Sequence, residues 1–134
     1  MGIAAEFGRY GAKLVNVQWA VSALMDDQLV VSLWQHRIRT QPGGRWIYRD
    51  HLGRWSGNGN KLFGEHLHAA LARGLPIRVV KAITDNPALI EGGGDGSKAR
   101  NTFKAHPERI GRIVEFDGDA FVIEFELPAE PHTP

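Results

Sequence analysis

The sequence predicts one α+β domain, built as a bent, mostly antiparallel sheet of five to six strands or a half-barrel, with one main helix packed against it. Three observations carry that expectation. Apolar and polar residues alternate at the period of a strand early in the chain; strand-like composition recurs on both sides of a Pro-Gly-Gly break and again near the end; and one central stretch carries apolar residues at helical spacing.

Taken in order, residues 1–12 (MGIAAEFGRYGA) are small and glycine-rich and are expected to be a flexible lead-in to a domain spanning 13–127. In residues 13–23, Val15, Val17, Trp19 and Val21 alternate with Asn16, Gln18 and Ser22, as in a strand with one buried face. Met25-Asp26-Asp27-Gln28 supplies a turn, and LVVSLWQHRI (29–38) resumes with β-branched and aromatic residues. After Pro42-Gly43-Gly44, RWIYRD (45–50) reads as a third strand with Trp46 and Tyr48 on one face and Arg45, Ile47 and Arg49 on the other. Asn60 is placed to cap a helix whose apolar stripe runs through Leu62, Phe63, His66, Leu67, Ala70 and Leu71 to a stop at Gly74. PIRVVKAI (76–83) follows as a short strand in which Ile77, Val79 and the adjacent Val80 suggest partial or full burial. Residues 84–109 carry no clear period, and 91–101 read as a loop. GRIVEF and AFVIEFE flank Asp117-Gly118-Asp119 as a hairpin, and 128–134 are expected to be a flexible tail.

At 134 residues, 43% of them hydrophobic and 23% charged, the chain has the size and composition of one globular unit. The absence of cysteine excludes disulfides, thiolate metal sites and a cysteine nucleophile, and fits a cytoplasmic setting. No apolar run approaches the roughly 18 to 20 residues that span a bilayer, so a soluble protein without membrane association is expected. No cofactor motif is present, and no cofactor is expected.

Net charge is only +1, but it is unevenly spread: fourteen Lys/Arg face six Asp/Glu between Arg37 and Arg112, whereas residues 113–134 carry six acids and no Lys or Arg. A basic centre points to an anionic partner. Two Gly-Arg-Trp triplets, Gly44-Arg45-Trp46 and Gly53-Arg54-Trp55, lie in this centre, the second followed by Ser-Gly-Asn-Gly-Asn before the helix. A helix start welcomes an anion, and indole faces stack on bases. The leading expectation is therefore a nucleic-acid-binding module, for DNA or RNA, that reads an exposed or modified base or a strand end through a basic, Trp-lined surface. In that scheme Arg37, Arg39, Arg45, Arg49, Lys61 and Lys98 hold phosphates; Arg54, Trp55, Ser56, Asn58 and Asn60 contact the base or terminal phosphate; Trp34, Trp46 and Tyr48 form pocket walls.

Three other patterns compete. His36, Asp50 and His51 could serve a small hydrolase, although no metal-binding or catalytic spacing accompanies them and His66 and His68 point in different helical directions. The stretch EGGGDGSKARNTFK (91–104) lacks the Gly-Lys-Ser/Thr order of a phosphate loop, leaving Lys98, Arg100 and Lys104 as a basic flap. Glu115, Asp117, Asp119, Glu124 and Glu126 could dock a protein partner, as a regulator or inhibitor would. Oligomeric state is not encoded in any of these patterns.

Overall fold

The computed structural model describes residues 2–127, and the tail expected from Pro128 lies outside them. Among the described residues, three α-helices and eight strands follow in the order α1 (Ile3–Gly8), β1 (Ser22–Leu24), β2 (Leu29–Trp34), β3 (Ile38–Thr40), β4 (Trp46–His51), α2 (Asn58–Arg73), β5 (Ile77–Thr84), α3 (Pro87–Glu91), β6 (Asn101–Ala105), β7 (Ile110–Phe116) and β8 (Ala120–Glu126). The strands join one bent, open sheet in the order β1-β2-β5-β7-β8-β4-β3, with β6 also on β5. Every pairing is antiparallel except β2 with β5. The strands beyond the five or six expected are β3, three residues starting at the end of the 29–38 run, and β6, five residues in the stretch that shows no period.

The parallel pair lies inside the sheet, between β1 and β7, and is buried on both faces. Leu29, Val31, Leu33, Ile77 and Val79 point into a core shared with Phe63, Leu67 and Ala70 of α2 and with Tyr48, Phe121, Ile123 and Phe125. Val30 and Val80 point the other way, into a second core with Phe7, Tyr10, Leu14 and Ala105. Continuous apolar runs, rather than alternation, are what such a strand pair requires.

The second core changes the reading of the amino-terminal segment. Residues 3–8 form a helix, Phe7 is fully buried, and the buried Glu6 carboxylate accepts the Ala105 N–H of β6 at 2.8 Å, so this stretch packs on the sheet instead of leading into it. The strand expected over 13–23 is reduced to its last residues, Ser22 and Ala23, which begin β1. Asn16 explains why: its Oδ1 accepts from Gln18 N at 2.8 Å and its carbonyl from Ala20 N at 2.9 Å, turning the backbone away from any ladder. Of the alternating set, Val15 and Val17 consequently face outward, 72% and 59% exposed, and Val21 packs partly buried on the core, while Ala12, Leu14 and Ala20 are buried.

Helix α2 begins two residues earlier than its expected cap. Gly57 takes the N-cap position at φ 112°, and the Asn60 amide instead donates to the Leu52 and Trp55 carbonyls. Its end follows expectation: Gly74 sits at φ 64°, and the Gly74 and Leu75 N–H groups return to the Leu71 and Ala70 carbonyls. Among the described residues, no helix is long and apolar enough to cross a membrane.

Candidate nucleic-acid interface

The middle of the chain is organised by one buried carboxylate. Asp50 lies near the end of β4, its side chain 2% exposed, and a single 310 turn (Leu52–Arg54) brings Arg54 back over it. The guanidinium grips it at both oxygens, Nε to Oδ1 at 2.8 Å and Nη2 to Oδ2 at 2.7 Å, and its Nη1 donates to the Ile90 carbonyl at 2.9 Å. The Tyr48 hydroxyl and the His51 N–H also donate to Asp50, at 3.1 and 2.9 Å. Burial and the neighbouring carboxylate push the Tyr48 hydroxyl pKa up, so it stays a donor. Burial of Arg54 favours its neutral form, but the hydrogen bonds and charge of Asp50 outweigh that and raise its pKa.

From this anchor the network runs outward. A second 310 turn, Gln35–Arg37, joins β2 to β3 and aims His36 and Arg37 at α3. Arg37 lies 3.4 Å from Asp50 and donates to both oxygens of Glu91, from Nε at 2.8 Å and Nη2 at 2.5 Å, while His36 Nε2 lies 2.7 Å from the same carboxylate. Partial burial alone would raise the Glu91 pKa; Arg37 and His36 lower it on balance. Beside this cluster, Arg39 pairs across β3–β4 with Ile47, and Arg49 stands two residues along on the same face. Together His36, Arg37, Arg39, Ile47, Arg49 and Glu91 line an open hollow of about 440 Å³. Arg39 donates to the His36 carbonyl at 3.0 Å, and neither Arg39 nor Arg49 has a carboxylate partner among the described residues.

No family model, curated protein or solved structure matches the chain. Geometry alone therefore sorts the residues that the sequence singles out.

Arg37, Arg39 and Arg49 converge on the hollow; the Gly-Arg-Trp loop does not. Arg54 is 6% exposed at its side chain and committed to Asp50, and Trp55 packs against Phe63 with ring centroids 6.2 Å apart. Asn60 is spent on two carbonyls, and Ser56, Asn58, Lys61 and Lys98 are exposed without lining the hollow. Arg45 lies 3.6 Å from both Glu124 and Glu126, so the acidic hairpin neutralises it. The expected aromatic walls are elsewhere too. Tyr48 is buried; Trp34 lies beside the ring of His36 at 6.2 Å; Trp46 carries the Arg109 guanidinium on its face at 3.9 Å, Lys81 at 5.5 Å and His106 edge-on at 5.0 Å. The hollow's apolar lining is Ile47, not tryptophan.

The histidine and acid candidates do not assemble. Asp50 is saturated by donors, the partner of His36 is Glu91, and His51 is exposed. Among the described residues, no three His, Asp or Glu side chains gather where they could hold a metal ion. His66 shares a hydrogen bond with Ser22 Oγ at 2.8 Å, and burial lowers its pKa. In the acidic hairpin, Asp117 accepts the N–H groups of Asp119 and Ala120, and Asp119 accepts that of Gly53, so both carboxylates shape turns. The glycine-rich loop has a packing reason as well: a Cβ on Gly93, at φ 78°, would lie 2.6 Å from the Arg54 carbonyl.

The residue that sequence reasoning missed is Glu91. It sits 54 residues from Arg37 in a stretch without period, and no local signal marks it as the carboxylate that holds the hollow's wall.

Proposed function

We propose that the protein is a nucleic-acid-binding module that holds backbone phosphates in the hollow between β3, β4 and α3. The observation that carries this reading is the pair of guanidinium groups, Arg39 and Arg49, set diagonally on one sheet face with no carboxylate between them. Like charges on neighbouring strands repel, and an anion placed between them relieves that repulsion. Four arginines, Arg37, Arg39, Arg49 and Arg54, stand against two carboxylates, Asp50 and Glu91, so the cluster keeps a positive field after its internal pairs are formed. Guanidinium groups suit phosphate through forked hydrogen bonds. Arg54 belongs to the scaffold: with Asp50 it fixes the end of β4 and, through the Ile90 carbonyl, the helix that presents Glu91.

Binding of a labelled oligonucleotide across a salt series tests this. Affinity should fall with salt, each phosphate contact contributing about −0.7 to the log–log slope for a single strand. Arg49→Ala should weaken binding and flatten that slope by about one contact, with the circular dichroism spectrum unchanged. Affinity indifferent to salt, or untouched in an Arg39→Ala/Arg49→Ala double variant, would rule the phosphate site out.

A further inference from the structure

A second hollow, of about 370 Å³, adjoins the first and shares His36 and Arg39 with it; its remaining lining is Gln35, Ile38, Ile83 and Thr84. Its place follows from the topology. The parallel register ends at Trp34 opposite Ala82, so the chain leaving β2 turns through Gln35–Arg37 beside the last two residues of β5, Ile83 and Thr84. Strand β3 ends the strand order, and its outer edge has no neighbouring strand among the described residues.

The two hollows differ in chemistry. The first presents guanidinium groups. The second sets the apolar side chains of Ile38 and Ile83 within a mainly polar lining made by two uncharged hydrogen-bonding side chains, Gln35 and Thr84, and by His36 and Arg39, which it shares with the first. Thr84 Oγ1 accepts from the Asn86 N–H at 3.2 Å, which leaves its hydroxyl proton to donate. Gln35 uses neither end of its amide in a side-chain hydrogen bond among the described residues. Planar side chains for stacking, a small apolar patch, and a free donor and acceptor for the base edge are means by which proteins recognise unpaired bases.

We infer that the second hollow is a base subsite: it takes one unpaired nucleobase of a strand whose adjoining phosphate lies between Arg39 and Arg49. This inference rests on the phosphate-binding reading of the first hollow. It makes the ligand an unpaired nucleotide within a DNA or RNA strand, not a duplex, since a base held in its pair cannot turn its edge to Gln35 and Thr84. Arg39, at the join, serves both parts.

Fluorescence anisotropy with four probes tests it: a short single-stranded DNA, an RNA of the same sequence, an abasic sugar-phosphate strand of equal length, and the duplex. The base-bearing strands should bind roughly tenfold tighter than the abasic strand and the duplex, the magnitude of stacking one base. A DNA–RNA difference identifies the preferred source. A Gln35→Ala/Ile83→Ala variant should lose that preference yet keep the abasic affinity, whereas Arg49→Ala should weaken all four probes. Equal wild-type affinity for base-bearing and abasic strands overturns the base subsite while leaving the phosphate site standing. Absence of binding to every probe at low salt overturns both. Comparison of probes on the wild-type protein needs no variant to fold.

Discussion

Replacing Arg54 with alanine distinguishes a ligand-binding arginine from a structural one. The substitution removes two hydrogen bonds to Asp50 and one to the Ile90 carbonyl, and leaves a carboxylate with a 2% exposed side chain facing only the Tyr48 hydroxyl, the His51 N–H and the more distant Arg37. Breaking a buried pair from one side costs about 3–5 kcal/mol, because the surviving charge stays desolvated. Arg37, 3.4 Å away, remains to offset part of that, which places the expected loss near the lower bound, at about 3 kcal/mol. Against a total stability of roughly 5–15 kcal/mol this is a large fraction, read as a midpoint shift in urea unfolding followed by tryptophan fluorescence. Melting should fall by roughly 10 °C. The double variant Asp50→Asn/Arg54→Met, which removes both charges and keeps the bulk, should recover most of the loss. An Arg54→Ala protein within about 0.5 kcal/mol of wild type that no longer binds nucleic acid would refute the structural assignment and return Arg54 to the interface.

Three further outcomes follow from the same geometry. Glu91→Gln removes the negative charge that occupies Arg37 and His36, so it should raise affinity for single-stranded nucleic acid about fivefold in anisotropy titrations at low salt, corresponding to about 1 kcal/mol. Glu6→Gln should lower stability at neutral pH by about 1–2 kcal/mol. The Ala105 N–H, outweighing burial, and then Arg9 hold the Glu6 carboxyl below its usual 4.5, so its contribution is present above that value and lost as pH falls through the folded pKa. Melting temperatures of the two proteins should therefore converge in strong acid. Gly59→Ala drives a Cβ into the Trp19 carbonyl, where the 12–21 segment crosses the first turn of α2, and should cost about 1–3 kcal/mol in chemical unfolding.

Local patterning made much of the frame legible. Alternation identified β4 and assigned its faces correctly, Trp46 and Tyr48 against Arg45, Ile47 and Arg49, and the β7–β8 hairpin and the Gly74 stop of α2 lie where turn chemistry places them. Where a local signal failed, a competing local interaction won: the Asn16 turn over strand alternation, and the Asn60 bonds to Leu52 and Trp55 over helix capping. For the site, the chain's own pattern placed a surplus of Lys and Arg between Arg37 and Arg112 and put Arg39 and Arg49 among six candidates for holding phosphates. It could not say which guanidinium groups remain for a ligand. That depends on partners met only after folding: Glu91 for Arg37, Glu124 and Glu126 for Arg45, and Arg109 laid over Trp46. Side-chain period is a property of neighbours along the backbone, whereas the availability of a charge or a ring is set by burial and by what the sheet brings across from distant segments.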